Sequence, residues 1–304
     1  MTRRNLLPVF AAALMAPAAF ASTADTSTSA QSMATFSDQI ANAKAAQSAG
    51  RVDDAITIYQ QAVRKARHDG SDPATVANAL NRLGMLYQSE ERFEDADASY
   101  TRALRTARKA GDRGFSITVM NNLGSLYIDM GQYAKAEKRL AEALRVGRQG
   151  PSDEATVAST LNNMGRLAQL EGRPDEAAAR YEQAFSRGKA TQKIAALNNL
   201  ATVHREQDQL DGASAAIAQA HTMAQSVYGD GHLVTMQLTS NRAIIELERG
   251  EFEMARELAR EVAQDSARLP EGHPHRDVFE RTQEIVENEA GRVAGRMDRI
   301  SVLR

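Results

Sequence analysis

NNLGSLYIDMGQYAKAEKRLAEAL, residues 121–144, decides how this chain is read. The same pattern returns as NRLGMLYQSEERFEDADASYTRAL over 81–104, NNMGRLAQLEGRPDEAAARYEQAF over 162–185 and NNLATVHREQDQLDGASAAIAQAH over 198–221. Fainter copies begin near Ile40 and Ser240. Aligned on Gly124, the equivalent residues are Ala43, Gly84, Gly165, Ala201 and Ala243, at steps of 41, 40, 41, 36 and 42 residues. A period of this length belongs to a solenoid, in which each unit packs on its neighbours because it cannot bury its apolar face alone.

Each unit predicts two helices. Leu123, Leu126, Tyr127 and Met130 fall at spacings of three and four, one stripe of a helix. Gly131 then ends that helix, since glycine tolerates the backbone conformation a helix C-terminus needs. Tyr133, Ala136, Leu140 and Ala143 make the second stripe. Gly124 and Ala136 are small, which suggests two helix backbones in close approach. Ala136 returns as Ala55, Ala96, Ala177, Ala213 and Ala255; Ala143 returns as Ala62, Ala103, Ala184 and Ala220, and becomes Val262 in the sixth unit.

These residues resemble the tetratricopeptide repeat family, whose first helix carries Leu, Gly and Tyr and whose second carries Ala, an aromatic or Leu, and a second Ala. The resemblance spans about residues 36 to 263. It implies an all-α, right-handed superhelical solenoid of about six helix-turn-helix repeats over 36–268. The period exceeds the family's usual 34 or so, with surplus residues in linkers such as Gly111–Gly114 and Tyr228–His232. This is similar to the longer variant in kinesin light chains and many bacterial repeat proteins. Units one and six depart from the pattern: Asn42 and Arg242 stand at the usual Leu position, and Ala43 and Ala243 replace Gly.

Residues 1–21 read as a secretory signal peptide: Arg3 and Arg4, an apolar run from Leu6 to Phe20, and a small-x-small site at Ala19-Phe20-Ala21. The run is short and broken by Pro8 and Pro17, so the expected mature chain has no membrane span. The Arg pair also resembles a twin-arginine export signal, with general secretion the first expectation. The chain is thus expected to be exported, to a bacterial periplasm first and otherwise secreted. Residues 22–35, rich in Ser, Thr, Ala and Gln, are expected to be a disordered leader. There is no Cys, which excludes disulfides, thiolate metal sites and thiol catalysis. Without Arg3 and Arg4 the chain has 35 basic and 39 acidic residues, a net of −4, which argues against a nucleic-acid partner. The charge is uneven: residues 60–148 hold 15 basic and 11 acidic residues, residues 246–300 hold 9 and 14. The basic residues near the ends of second helices (Arg105, Arg108, Lys109) read first as complements to the helix dipole and second as an anion-binding patch. Leu269–Pro274 separates the repeats from a charged C-terminal segment, 269–304, with Phe279, Ile285, Val286, Val293 and Met297 as a rough stripe. That segment suits a capping helix.

Chemistry has little foothold. His232 and His273 sit 41 residues apart in successive linkers and read as turn and packing residues. His204 replaces the core Tyr of its unit and is expected as a buried, hydrogen-bonded ring. No His-Glu-x-x-His, phosphate loop or Gly-x-Ser-x-Gly is present, so no metal, cofactor or catalytic residue is expected.

Asparagine is the sharper signal. Three before the repeat Gly or Ala stand Asn81, Asn121, Asn162 and Asn198; two before it stand Asn122, Asn163, Asn199 and Asn241, with Arg82 in unit two. Asn is a poor helix former, so its recurrence within a helix needs a reason. The resemblance implies that first helices line a concave groove where such an Asn holds the backbone of an extended peptide. The groove would also include Asn78, Arg166 and Arg205. The alternative is structural: one Asn of each pair bonds the neighbouring repeat's backbone. The family's carboxylate clamp places Lys where this chain has Asn81, Asn121, Asn162 or Asn198, so that variant does not fit. The leading expectation is an exported, non-catalytic scaffold for one or more protein or peptide partners. The alternatives are an assembly factor docking through its convex face or ends, and a cell-wall-associated accessory. The absence of Trp disfavours a sugar platform. The sequence indicates no oligomeric state.

Overall fold

The computed structural model describes residues 36–66, 71–149, 154–271 and 273–301. The expected signal peptide and leader lie outside these residues. The described residues form thirteen α-helices and no strand. Six helix pairs follow in order: α1 (Phe36–Ser48) with α2 (Val52–Ala66), α3 (Pro73–Ser89) with α4 (Phe93–Lys109), and α5 (Arg113–Asp129) with α6 (Tyr133–Arg148). Then come α7 (Glu154–Leu170) and α8 (Pro174–Arg187), α9 (Ala190–Glu206) and α10 (Leu210–Tyr228), α11 (Leu233–Arg249) and α12 (Phe252–Ser266), and finally α13 (Pro274–Ser301). The chain divides into two compact units, with the boundary between Leu167 and Ala168 inside α7.

One backbone device closes the first helix of every repeat. Seven residues after the aligned Gly or Ala, the chain takes a positive φ: Gly50 (72°), Glu91 (56°), Gly131 (68°), Gly172 (73°), Asp208 (61°) and Gly250 (87°). The next residue's N–H then reaches back to the first helix, as Gln132 N to Tyr127 O at 2.8 Å and Arg92 N to Tyr87 O at 2.8 Å. This is the capping geometry that satisfies otherwise orphaned carbonyls. Four repeats use glycine there; Glu91 and Asp208 hold the same conformation with a Cβ, against a steric penalty.

In the N-terminal unit the core is the set of residues the repeat register names: Ala55, Tyr59, Ala96, Tyr100, Ala103, Leu123, Leu126, Ala136, Leu140 and Ala143 are all fully buried. The small residue on the first helix makes room for a side chain, not for a backbone. A Cβ on Gly84 would lie 2.6 Å from the Tyr100 ring, and one on Gly124 would lie 2.4 Å from Leu140 Cδ2. Both are closer than packed carbons tolerate, so the glycine is the socket for the large residue sixteen positions on.

In the C-terminal unit Ala201, Ala213, Ile217 and Ala220 repeat that arrangement, and α13 packs on α12 and α11. Phe279, Val286 and Ala290 of α13 are buried, with Ile285 partly so, which gives the cap its apolar side. Val293 and Met297 lie where side chains are not described. His204 departs from expectation. Its ring is only half-buried, bonds Gln209 Oε1 through Nδ1 at 2.7 Å, and packs over Gly212, whose Cβ would be 3.3 Å from it. The polar ring stays at the rim, where its nitrogen keeps a partner. His232 and His273 do act in turns. The Nδ1 of His232 accepts from Val234 N at 3.2 Å, and that of His273 accepts from His275 N at 3.3 Å. Burial holds the His232 pKa below its usual value, which favours the neutral ring that can accept.

Candidate first-helix binding face

The asparagines form rungs between repeats. Asn122 Nδ2 donates to Asn81 Oδ1 at 2.8 Å and Asn163 Nδ2 to Asn121 Oδ1 at 3.0 Å, both in the N-terminal unit. Asn241 Nδ2 donates to Asn198 Oδ1 at 2.9 Å in the C-terminal unit. In each case the residue two before the aligned position reaches the residue three before it in the preceding repeat. The expected alternative was a bond to neighbouring backbone; the observed partner is the neighbouring amide side chain. Asn81, Asn162 and Asn198 are buried, whereas Asn121, Asn122, Asn163, Asn199 and Asn241 are half-buried. A fourth rung uses hydroxyls: Ser240 Oγ and Thr282 Oγ1 lie 2.8 Å apart. Thr282 thereby marks α13 as occupying the place of a further first helix.

A second set of rungs runs beside the first. Gln88 Nε2 donates to Asp129 Oδ2 at 2.6 Å and Gln169 Nε2 donates to Glu206 Oε2 at 2.8 Å. At the same register Arg205 Nε lies 3.8 Å from Glu248 Oε2. Each glutamine also accepts from a buried tyrosine: Tyr100 Oη to Gln88 Oε1 at 2.9 Å and Tyr181 Oη to Gln169 Oε1 at 3.2 Å. Burial, then the Asp129 charge, pushes the Tyr100 hydroxyl far above its ordinary pKa, so it stays a donor. Arg166 joins Asp129 from α7 at 2.8 Å. Gln47 and Tyr59 stand at these positions in repeat one, where the Tyr59 hydroxyl is buried without hydrogen-bond geometry; burial raises its pKa and the nearby Arg82 opposes that rise.

The other sequence-derived candidates fall near these rungs. Asn78 is exposed on α3, and its Oδ1 accepts from Arg82 Nε at 3.1 Å. Asn81 also directs its Nδ2 at Met85 Sδ, 3.7 Å away. In the C-terminal unit Asn198, Arg205 and Asn241 come together along one cleft of about 180 Å³ between α9, α11 and α13. Its floor is apolar, with Ala201, Ile217, Ile244 and Ile245; Asp277 and Arg281 stand on its α13 side. One hydrogen of the Asn241 amide is committed to Asn198. A primary amide has a second hydrogen and acceptor lone pairs to offer.

The tetratricopeptide repeat profile matches residues 37–109, 115–190 and 192–264, most of the chain. The chain belongs to the tetratricopeptide repeat family. Among curated proteins, Photosystem I assembly protein Ycf3 of Rippkaea orientalis is 24% identical over 147 residues, which is 48% of this chain and 83% of that one. Among solved structures, BtubC (BKLC) from P. vanneervenii has a TM-score of 0.60 at 21% identity, covering 79% of this chain and 94% of its own. A Rap protein complexed with competence and sporulation factor has a TM-score of 0.55 at 17% identity, covering 84% of this chain and 76% of its own. At such identity these structures speak for the fold.

A tetratricopeptide repeat array is a protein-interaction scaffold. Among the described residues no group of three His, Asp or Glu side chains could hold a metal, and no helix is long and apolar enough to cross a membrane. The glutamines were missed in the sequence. Their signal was present: Gln47, Gln88 and Gln169 occur in the repeats that carry Tyr59, Tyr100 and Tyr181 twelve residues later.

Proposed function

We propose that the chain is an exported, non-catalytic adaptor that holds an extended segment of a partner protein along its first helices. The α9–α11–α13 cleft carries the proposal, because it joins an apolar floor to amide and charged groups at its edge. Pockets of that kind bury a side chain while polar groups fix the backbone. Asn241 would engage the partner with the hydrogen and lone pairs not used by Asn198. The neighbour solved with competence and sporulation factor bound supports a ligand-holding reading of this fold. The Ycf3 relative, named as an assembly protein, favours a second reading in which the partner is a subunit on its way into a complex.

A photo-crosslinking residue at Thr202, in the cleft, is compared with one at Met254, an exposed position on α12. The proposal expects adducts from Thr202 that map by mass spectrometry to one short, contiguous stretch of one partner. Adducts from Met254 alone, or a scatter of unrelated proteins from both sites, would sink it. N-terminal sequencing of the exported form tests the localisation, with a start near Ser22 expected; a chain that keeps Arg3 and Arg4 in the membrane fraction would refute it.

A further inference from the structure

We infer that the second helices of the N-terminal unit carry a docking surface, separate from the first-helix cleft, for an acidic polypeptide segment with interspersed apolar residues. Arg64, Arg105 and Arg145 occupy one register position on α2, α4 and α6, each 21 residues after the aligned Ala43, Gly84 and Gly124. All three are exposed. The corresponding residues in the C-terminal unit are Ser186, Thr222 and Gln264, so the feature belongs to three consecutive repeats only.

The arginines stand out by their company. Elsewhere arginine is commonly joined to a carboxylate, as in Arg92 with Asp95, Arg108 with Glu142, Arg166 with Asp129 and Arg260 with Glu287. Among the described residues Arg64 and Arg105 have no carboxylate partner, and Arg145 reaches only Gln149 Oε1, at 3.3 Å. Arg64 and Arg145 stand in the last turns of α2 and α6, where they complement the helix dipole, but the fold does not require them there. Helices α10 and α12 end with no basic residue in the last turn, so this fold closes second helices without one. Arg105 also precedes the last turn of α4, where Arg108 and Lys109 already stand, and the dipole effect fades beyond the terminal turn.

What lies beside Arg105 selects the partner. A cleft of about 340 Å³ opens between α2, α3 and α4, with Val63, Val76 and Leu80 below and Arg105 and Lys109 at its edge. Asp72, between the lining residues Ser71 and Pro73, is occupied by the N-terminus of α3, accepting from Ala74 N, Thr75 N and Thr75 Oγ1. A phosphate backbone would satisfy the guanidinium groups and leave the apolar floor empty. A peptide that alternates carboxylates with an aliphatic side chain fills both. Exposed charges of this kind govern encounter and specificity more than affinity, so the contact should be moderate and salt-sensitive.

The test uses the full chain and four fluorescent probes of similar charge: a Glu-Glu-Leu repeat peptide, a Glu-Glu-Ser repeat peptide, a single-stranded oligonucleotide and phosphatidylglycerol vesicles. The Glu-Glu-Leu peptide should bind at least about tenfold more tightly than the other three at low salt, and lose most of that affinity near 300 mM salt. Each of Arg64→Gln, Arg105→Gln and Arg145→Gln should weaken it about threefold and the triple variant roughly thirtyfold, while the triple Lys variant retains most binding. Should the triple Gln variant melt early, Arg105→Glu alone decides, with a loss of about tenfold expected. Equal binding of the oligonucleotide or the vesicles, equal binding of the Ser peptide, or an Arg105→Glu protein that binds as wild type overturns the proposal.

Discussion

Repeats two and three are built to one register and filled differently. In repeat two the socket over Gly84 holds Tyr100, whose hydroxyl donates to Gln88. In repeat three the socket over Gly124 holds Leu140, and the position of Gln88 is taken by Ile128, which is 3% exposed. The turn that follows holds the same left-handed backbone in both, with Glu91 in one and Gly131 in the other. The socket and the residue four places after it therefore act as a pair. In these two repeats the tyrosine is matched by an amide acceptor and the leucine by an aliphatic neighbour, because a buried hydroxyl without a partner is costly.

The strongest way to break the comparison is to give repeat three the tyrosine alone. Leu140→Tyr places a larger ring and an unpaired hydroxyl against Ile128 and should cost about 3 kcal/mol from overpacking and desolvation together. Adding Ile128→Gln should restore at least about 1 kcal/mol, the net worth of one hydrogen bond. Denaturant unfolding of the single and double variants checks this; additive losses would mean the two positions are independent. Filling the socket comes next. Gly84→Ala gains about 1 kcal/mol of helix propensity but forces a fully buried ring aside, for a net loss of about 2 kcal/mol. Gly124→Ala should cost less, since Leu140 can change rotamer where Tyr100 cannot, and thermal melts of the two variants rank them.

The pairing was half legible in the sequence. The helix pairs were, because Gly124, Ala136 and Leu140 repeat at fixed spacing and a helix surface converts spacing into a stripe. The close approach suggested at Gly124 proved to be a side chain entering a socket, because periodicity places residues on a face without saying what lies opposite. The asparagines were recognised as out of place on a helix, but their partners lie one period away in another repeat, as Asn122 and Asn81 do. A one-dimensional pattern marks both positions and leaves the bond between them unseen. His204 misled for a related reason: its position is that of Tyr127, yet an imidazole nitrogen keeps a polar partner, Gln209, at the rim.

Smaller changes sharpen the comparison. Gln88→Leu makes repeat two resemble repeat three on one side only, removing the acceptor of Tyr100 and the donor to Asp129; a loss of about 1 kcal/mol is expected, and Tyr100→Phe on that background should add little more. A full additional loss from Tyr100→Phe would show that the hydroxyl has another role. The least change is Glu91→Gly, which gives repeat two the turn of repeat three. Relief of the left-handed strain, partly offset by the entropy of glycine in the unfolded chain, should raise stability by about 0.5 kcal/mol. A lower melting temperature would mean the Glu91 side chain contributes more than its backbone conformation costs.

Asn rungs join repeat three to two, four to three and six to five by the same donor and the same acceptor, and Ser240 with Thr282 makes the equivalent step in hydroxyls onto α13. A joint that recurs with the same parts imposes no fixed length where it recurs. Duplicating repeat three by recombination would leave each new junction with an Asn donor and an Asn acceptor already in place, and would carry the terminal helix along unchanged. Such a chain can grow by copying without having to invent a new seam each time.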